Sequence, residues 1–235
     1  MSIYRDGDEG TQWAIVTGAS EGIGAAYALQ LAQCGYNIRL VARSDDKMAK
    51  VCEEARKLNP KIQAEYVPLD VSKASPQDYA ALFNERERTS IVVNNAGIMK
   101  NQNLLQTDPA LLEAMIKTNV HPYVYLTKYA LQHFSQNAAS HQHKTALLYT
   151  SSTAAQVDFP LMSSYSGTKT HNVVFANLIR KYASKSLTFT DMLRVQTLHP
   201  ATVTSNLNNF RTGKTAPDAV MPDECARGSL CDLNS

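Results

Sequence analysis

The chain has 235 residues, 44% of them apolar, 19% charged and 8% aromatic, with a formal net charge of +2 from 23 basic and 21 acidic side chains. That composition excludes a disordered or low-complexity chain, and the balanced charge excludes the strong basic excess of a nucleic-acid footprint. The length suits one α/β domain with a core large enough to stand without disulfides or metal.

The opening MSIYRDGDEG is polar and carries both charge signs. Residues 1–12 are therefore expected to form a polar segment rather than a secretory leader, ahead of a domain at 13–235. Cys34, Cys52, Cys225 and Cys231 show no C-x-x-C spacing. This points to a reduced, intracellular compartment, cytoplasmic or peripheral to an organelle membrane. No run approaches the roughly 18 consecutive apolar residues of a membrane span. His141 and His143 lie in SQNAASHQHK without a carboxylate or thiol beside them, so a solvated loop is expected there and no metal site.

In chain order, WAIVTG reads as a buried strand, followed by a helix from about Gly22 to Gly35. NIRLVAR is a second strand, and SDDKMAKVCEEARKLNP a charged helix ending at Pro60. IQAEYVPLD is a third strand, with a helix from Ser75 to Arg88 opened by Ser-Pro. SIVVNNAG is a fourth strand, and one long helix is expected from about Asp108 to Phe134. KTALLYTSS is a fifth strand, SYSGTKTHNVVFANLIRKYAS a helix, and DMLRVQTLHP a sixth strand. Strands alternating with helices predict a single-domain, doubly wound, Rossmann-like parallel sheet with ligands at the carboxyl ends of its strands.

Between the first strand and first helix stands Thr17-Gly18-Ala19-Ser20-Glu21-Gly22-Ile23-Gly24. Gly18 suits a tight turn, Gly22 close approach of backbone to a ligand, and Gly24 close helix–strand contact. The helix N-terminus then offers free N–H groups to a pyrophosphate. Glycines alone are a weak signal; their place between strand and helix strengthens it. The second strand ends Val41-Ala42-Arg43, with Ala42 where an acid would grip the 2′-hydroxyl of NAD. Arg43 suits the 2′-phosphate of NADP, which is favoured over NAD; the plain alternative is an arginine that only caps a loop.

Tyr165 and Lys169 are spaced i, i+4, so a phenol and an ammonium share a helix face. A neighbouring cation is expected to stabilise the phenolate and lower the tyrosine pKa. Taken alone, Y-x3-K would pass for a surface pair. Here Ser152 emerges after the fifth strand, Asn119 lies in the long helix, and Asn94-Asn95-Ala96-Gly97 closes the fourth strand on the same edge.

With these motifs the chain resembles the short-chain dehydrogenase/reductase family, from Trp13 to about Leu233. T-G-x3-G-x-G matches from Thr17 to Gly24, and N-N-A-G from Asn94 to Gly97. The resemblance implies catalytic roles for Asn119, Ser152, Tyr165 and Lys169. It implies NADP(H) contacts from Gly18, Ser20, Gly22, Ile23, Gly24, Arg43, Asp70, Val71, Asn95, Ala96, Gly97, Tyr165, Lys169, Val203 and Ser205. Serine-to-tyrosine spacing selects Ser152 over Ser151. The family's P-G-x-V-x-T is Pro200-Ala201-Thr202-Val203-Thr204-Ser205 here, which weakens a contact on the nicotinamide side without removing it.

WAIVTGAS, NIRLVAR and the glycine-free P-x-x-V motif resemble the branch of 17β-hydroxysteroid dehydrogenases and very-long-chain 3-oxoacyl-CoA reductases. Members of that branch often carry membrane segments ahead of the core, whereas this chain begins almost at the core, which speaks against membrane attachment. The implied reaction is reduction of a ketone to a secondary alcohol, or the reverse. Tyr165 would act as proton donor, Ser152 would hold the carbonyl oxygen, Lys169 would tune the phenol and bind ribose, and Asn119 would hold a water. The segment NLNNFRTGKTAPDAVM, from Asn206 to Met221, lies where a substrate lid is expected. It is largely polar, with Phe210 near its start, and speaks mildly against a steroid or long-acyl pocket. The rival reading is a non-catalytic subunit or scaffold that keeps the fold and still binds NADP(H).

The helix after Tyr165 is broadly apolar (Val173, Val174, Phe175, Leu178, Ile179), which suits a homodimer or a subunit of an assembly. PDECARGSLCDL reads as a last helix followed only by Asn234-Ser235. The final edge strand of the fold is thus expected to be missing. An exposed sixth strand then calls for a partner chain or lowers stability.

Overall fold

Val, Ile and Leu crowd the short runs that become strands. In the computed structural model, which describes residues 9–138, 144–201, 203 and 219–233, β1 (Gln12–Thr17), β2 (Asn37–Ala42) and β5 (Thr145–Thr150) are buried at every position. β4 (Arg88–Asn94) is buried after its first residue. β3 (Ala64–Pro68) and β6 (Leu193–Leu198) carry exposed positions, as sheet margins do. The strands pair in parallel in the order β3-β2-β1-β4-β5-β6. The order reverses between β1 and β4, which opens a crevice at their carboxyl ends.

Helices cover both faces. On one side α1 (Gly22–Gln33), α2 (Asp45–Leu58) and α7 (Pro222–Asp232) pack over Val16, Leu40 and Val93 through Tyr27, Leu31, Met48 and Leu230. On the other, α3 (Pro76–Ala80), α5 (His121–Ala138) and α6 (Ser163–Lys185) pack over Ile15, Val92 and Leu147 through Tyr79, Tyr123, Leu126 and Ala176. α4 (Pro109–Asn119) leans on α5 and α6. The doubly wound architecture expected from the strand–helix rhythm is present.

Two helices differ from expectation. The third helix stops at Ala80 and does not reach Arg88. The Leu82 carbonyl is taken by Arg39 at 2.7 Å, and the Asn84 side chain accepts from Arg86 N at 3.0 Å, which turns the chain toward β4. The long helix is two helices, because Pro122 lacks the N–H that would continue the ladder and its ring opposes the carbonyl four residues back. Val120, at the break, has φ −116° and ψ −55°. Among the described residues no strand follows α7, and β6 stands at the sheet margin. One of its groups is covered from within: Arg180 Nε donates to the Val195 carbonyl at 3.0 Å.

Arg39, only 6% exposed, ties the sheet to its flank. It bonds Glu65 and Glu87 at 2.5 and 2.7 Å and lies 4.8 Å from the centroid of Trp13. Removing one partner of a buried ion pair leaves uncompensated charge and costs about 3–5 kcal/mol. Glu65 keeps solvent access, so Arg39→Met should lower the unfolding free energy by about 3 kcal/mol, the low end of that range. Urea unfolding followed by circular dichroism measures it; a loss under about 1 kcal/mol, the size of an exposed pair, would contradict the role of Arg39.

Candidate active site

The glycine turn follows β1. Gly18 has φ +63°, and a Cβ there would stand 2.9 Å from Ala96 Cα. A Cβ at Gly24 would overlap the Gly18 carbonyl, so the helix can press against the turn only without a side chain. Gly18 N donates to Val41 O at 2.8 Å, joining the turn to β2. α1 has no side-chain cap and no acid in its first turn, so its free N–H groups and positive dipole end are left for an anion. Ser20 is half-buried in the same turn, and Ile23 packs against the core.

The carboxyl end of β4 is bolted to this turn. Thr17 Oγ1 accepts from Asn95 N and Ala96 N at 3.0 and 3.2 Å and donates to Val93 O at 3.2 Å. The Asn95 amide donates to the Thr17 and Gly18 carbonyls at 3.0 and 3.3 Å. Asn95 thus shapes the glycine turn. Thr17, quoted only as part of the turn motif, is the hub of this bolt.

Arg43 is exposed just past β2, and its charge helps to hold the Asp70 carboxyl below the ordinary carboxylate range. The larger cause is the Ser72 hydroxyl, which donates to Asp70 Oδ1 at 2.7 Å. Arg43, Asp70 and the buried Val71 therefore gather at one end of the crevice. Lys47, which sequence reading passed over, pairs with Glu21 of the glycine turn at 2.6 Å.

At the other end Asn119 closes α4, fully buried. Its Oδ1 accepts from Ile98 N at 2.8 Å, and its Nδ2 donates to Ile98 O and Thr168 Oγ1 at 2.9 and 3.0 Å. Its carbonyl accepts from Asn172 Nδ2 at 3.0 Å. The Asn119 side chain is spent on positioning the chain after β4 against α6. Asn172, which no motif marked, is its buried counterpart.

Ser152, Tyr165 and Lys169 converge beyond β5. Ser152 shares a hydrogen bond with the Tyr165 hydroxyl, and its Oγ also caps Ala154 N at 3.1 Å. Ser151 is turned away: its hydroxyl donates to Lys169 O at 2.9 Å. Lys169 Nζ donates to Thr150 O at 2.9 Å and Tyr123 OH at 3.4 Å and lies 5.7 Å from the Tyr165 ring centroid. The expected lowering of the Tyr165 pKa by its lysine is not what this geometry gives. Burial pushes the phenol upward, with the Ser152 hydrogen bond opposing it, while burial pulls the Lys169 ammonium down to about 7. The pair shares a face, but the ammonium is turned toward β5.

Gly97 lies beside both groups, since a Cβ there would stand 3.3 Å from Lys169 Nζ and 3.4 Å from Asn119 Oδ1. Val203, buried, bridges to Val220. Ser205, the lid residues 206–218 with Phe210, and His141 and His143 lie outside the described residues. Among the described residues no group of three or more His, Cys, Asp or Glu could hold a metal ion.

A family model described as short chain dehydrogenase matches residues 12–215. The chain belongs to the short-chain dehydrogenase family. A very-long-chain 3-oxoacyl-CoA reductase of Coccidioides immitis is 34% identical over 172 residues, covering 72% of this chain and 48% of that protein. Human 17-beta-hydroxysteroid dehydrogenase type 3 is 29% identical over 208 residues, covering 85% of this chain and 61% of that one. The chain spans about half the length of the first curated relatives it matches. An alcohol dehydrogenase from Thermococcus sibiricus, complexed with 5-hydroxy-NADP, superposes with TM-score 0.80 at 26% identity, covering 95% of this chain and 91% of that one. A Sphingobium yanoikuyae short-chain dehydrogenase in complex with NADPH, at 22% identity and TM-score 0.82 over 95% of this chain and 84% of its own, shares the fold.

A dinucleotide fits this short-chain dehydrogenase site on its own chemistry. The start of α1, with no side-chain cap and no acid in its first turn, meets a glycine cradle that a Cβ would fill, and the exposed Arg43 follows the neighbouring strand.

The buried lysine has a direct consequence for stability. Unfolded, Lys169 titrates near 10.5; folded, near 7. Between those values the unfolded chain binds the extra proton, so this group makes stability rise as pH climbs from about 7 toward 10.5. Its burial costs most below 7. Lys169→Met should be the more stable protein at neutral pH and should lose this rise. Unfolding free energies of parent and variant across that range test it; parallel curves would refute the buried charge.

Proposed function

We propose that this short-chain dehydrogenase is an NADP(H)-dependent oxidoreductase that interconverts a ketone and a secondary alcohol at Tyr165. The observation that carries the reading is the convergence of Ser152, Tyr165 and Lys169 at the carboxyl end of β5, beside the uncapped glycine turn. NADPH-bound and NADP-analogue-bound structures of similar fold support the choice of cofactor.

In this reading the glycine turn from Gly18 to Gly24 holds the pyrophosphate, Arg43 the 2′-phosphate, and Asp70 with Val71 the adenine side. Asn95, Ala96 and Gly97 line the crevice, and by the family resemblance Val203 and Ser205 would supply the contacts on the nicotinamide side. The dinucleotide supplies or accepts the hydride. Tyr165, kept protonated by burial, passes its phenolic proton to the substrate oxygen as charge develops there. Ser152 holds that same oxygen by a hydrogen bond. Lys169 supplies the positive charge behind the phenol when protonated. Asn119 fixes the chain that carries Gly97.

The substrate class we favour is a 3-oxoacyl or keto-steroid compound. Ile98, Met99, Met115 and Met162 pack around Tyr165 as an apolar wall. A wall of that kind suits an apolar body beside the carbonyl. The names of the two relatives point the same way. Exposed Val174, Leu178 and Tyr182 along α6 support self-association. No helix among the described residues is long and apolar enough to cross a membrane, and a cytoplasmic or membrane-peripheral site remains our reading of location.

NADPH oxidation assayed with 3-oxoacyl-CoAs, keto-steroids and simple ketones tests the function. A bound dinucleotide without turnover of any carbonyl would favour a scaffold instead. Tyr165→Phe should cut kcat by about a thousandfold, within the range for losing a general acid, with dinucleotide affinity retained. Parent-like turnover in that variant would remove Tyr165 from the mechanism. By fluorescence titration NADPH should bind more tightly than NADH, and Arg43→Ala should narrow the gap by about tenfold or more, the worth of one charge-assisted contact. Equal parent affinities would refute the role of Arg43.

A further inference from the structure

Lys169 Nζ has one side-chain acceptor among the described residues, and it comes from a residue outside every motif. Tyr123, fully buried near the start of α5, donates its own hydroxyl proton to Thr150 O at 2.9 Å. That leaves a lone pair of the same oxygen for the lysine, whose Nζ stands 3.4 Å away. A hydroxyl that is already donating is the better acceptor. Nζ itself donates to Thr150 O at 2.9 Å, so lysine, tyrosine and carbonyl form a closed triangle. The ammonium also lies 5.5 Å from the Tyr123 ring centroid and 5.7 Å from that of Tyr165, sandwiched by two rings.

The groups facing Nζ are few. Tyr123 from α5 and Tyr165 from α6 are the titratable ones. β5 contributes the Thr150 carbonyl, and Gly97 and the Asn119 side chain close the slot from the chain after β4 and the end of α4. Burial is the cause that moves the lysine, with no carboxylate acting on it. The side-chain oxygen that accepts from Nζ is thus a neutral one.

We propose that Tyr123 is a positioning residue of this site: its hydroxyl, braced on Thr150 O, fixes Lys169 Nζ at the end of β5 and favours the protonated amine. The importance of that amine to turnover rests on the function proposed above. Its placement and ionisation do not. Because the ring of phenylalanine fills the same space, Tyr123→Phe removes the acceptor while keeping the packing.

The experiment follows the lysine Cε resonances by carbon NMR through a pH titration of the whole chain, with Lys169→Met identifying the Lys169 signal. In Tyr123→Phe the Lys169 midpoint should fall by about one pH unit, the equivalent of one hydrogen bond to a charged group. Alcohol oxidation, where it is detected, should need a higher pH to reach half its maximal rate, since a less charged lysine supports the Tyr165 phenolate less. A folded Tyr123→Phe with the parent midpoint overturns the proposal, and so does an unchanged pH profile in a variant that turns over substrate. Should that variant fail to fold, the parent alone decides: the Tyr123 Cζ resonance should move with the Lys169 midpoint, and a flat Tyr123 signal overturns the contact. If no carbonyl is ever turned over while the midpoint shifts as expected, the proposed reaction falls and the positioning role stands.

Discussion

In a parallel sheet every strand delivers its carboxyl end to the same edge, and only where the strand order reverses do two of those ends part far enough to admit a ligand. Here the reversal lies between β1 and β4. The crevice would be free to open or slide if the turns that follow those strands were independent. They are not. The Thr17 hydroxyl and the Asn95 amide cross-link them through five hydrogen bonds, from strand end to strand end. The glycine turn is therefore held in shape from β4, and the glycines that make it permissive do not make it loose. The main-chain tie from Gly18 to Val41 extends the same frame to β2, where Arg43 begins.

A second frame holds the other end of the crevice. Pro122 ends α4 by denying the helix a donor, and at the break the Asn119 carbonyl accepts from Asn172. The Asn119 side chain then reaches both the chain after β4 and α6. One residue thus sets the distance between Gly97 and Lys169. With the Thr17 and Asn95 bolt at one side and Asn119 at the other, the crevice is fixed before any ligand enters, which limits the ordering cost of binding.

Much of this could be read in the residues in order. Each strand was visible because burial on both faces demands a nearly continuous apolar run, and the run is local. The glycine turn and the place of Arg43 were visible for the same reason: they depend on what stands directly after a strand. The early end of α3 was not, because it depends on Arg39 reaching the Leu82 carbonyl from a strand forty-three residues away in sequence. The break before Pro122 had a signal in the proline itself, and a long apolar periodicity masked it. The direction of the Lys169 side chain had no local signal at all. Spacing puts Tyr165 and Lys169 on one face, but the Thr150 carbonyl and the Tyr123 hydroxyl decide where the amine ends up.

That last choice bears on how the site can work. An i, i+4 pair on an exposed helix would have a lysine charged throughout the physiological range and a phenol close to its usual value. Buried, the two move in opposite directions: the phenol keeps its proton more firmly and the amine holds its own less firmly. Near neutral pH the amine is then close to its midpoint, so small changes in its surroundings alter its charge substantially. Anything negative brought to the crevice, phosphate groups above all, favours the charged amine. A charged amine in turn lowers the cost of forming the phenolate. In the function proposed for this site, an anion in the crevice would thereby favour proton transfer at Tyr165 over the bare state. A carboxylate in place of the Tyr123 hydroxyl would hold the lysine charged at all times and remove that dependence.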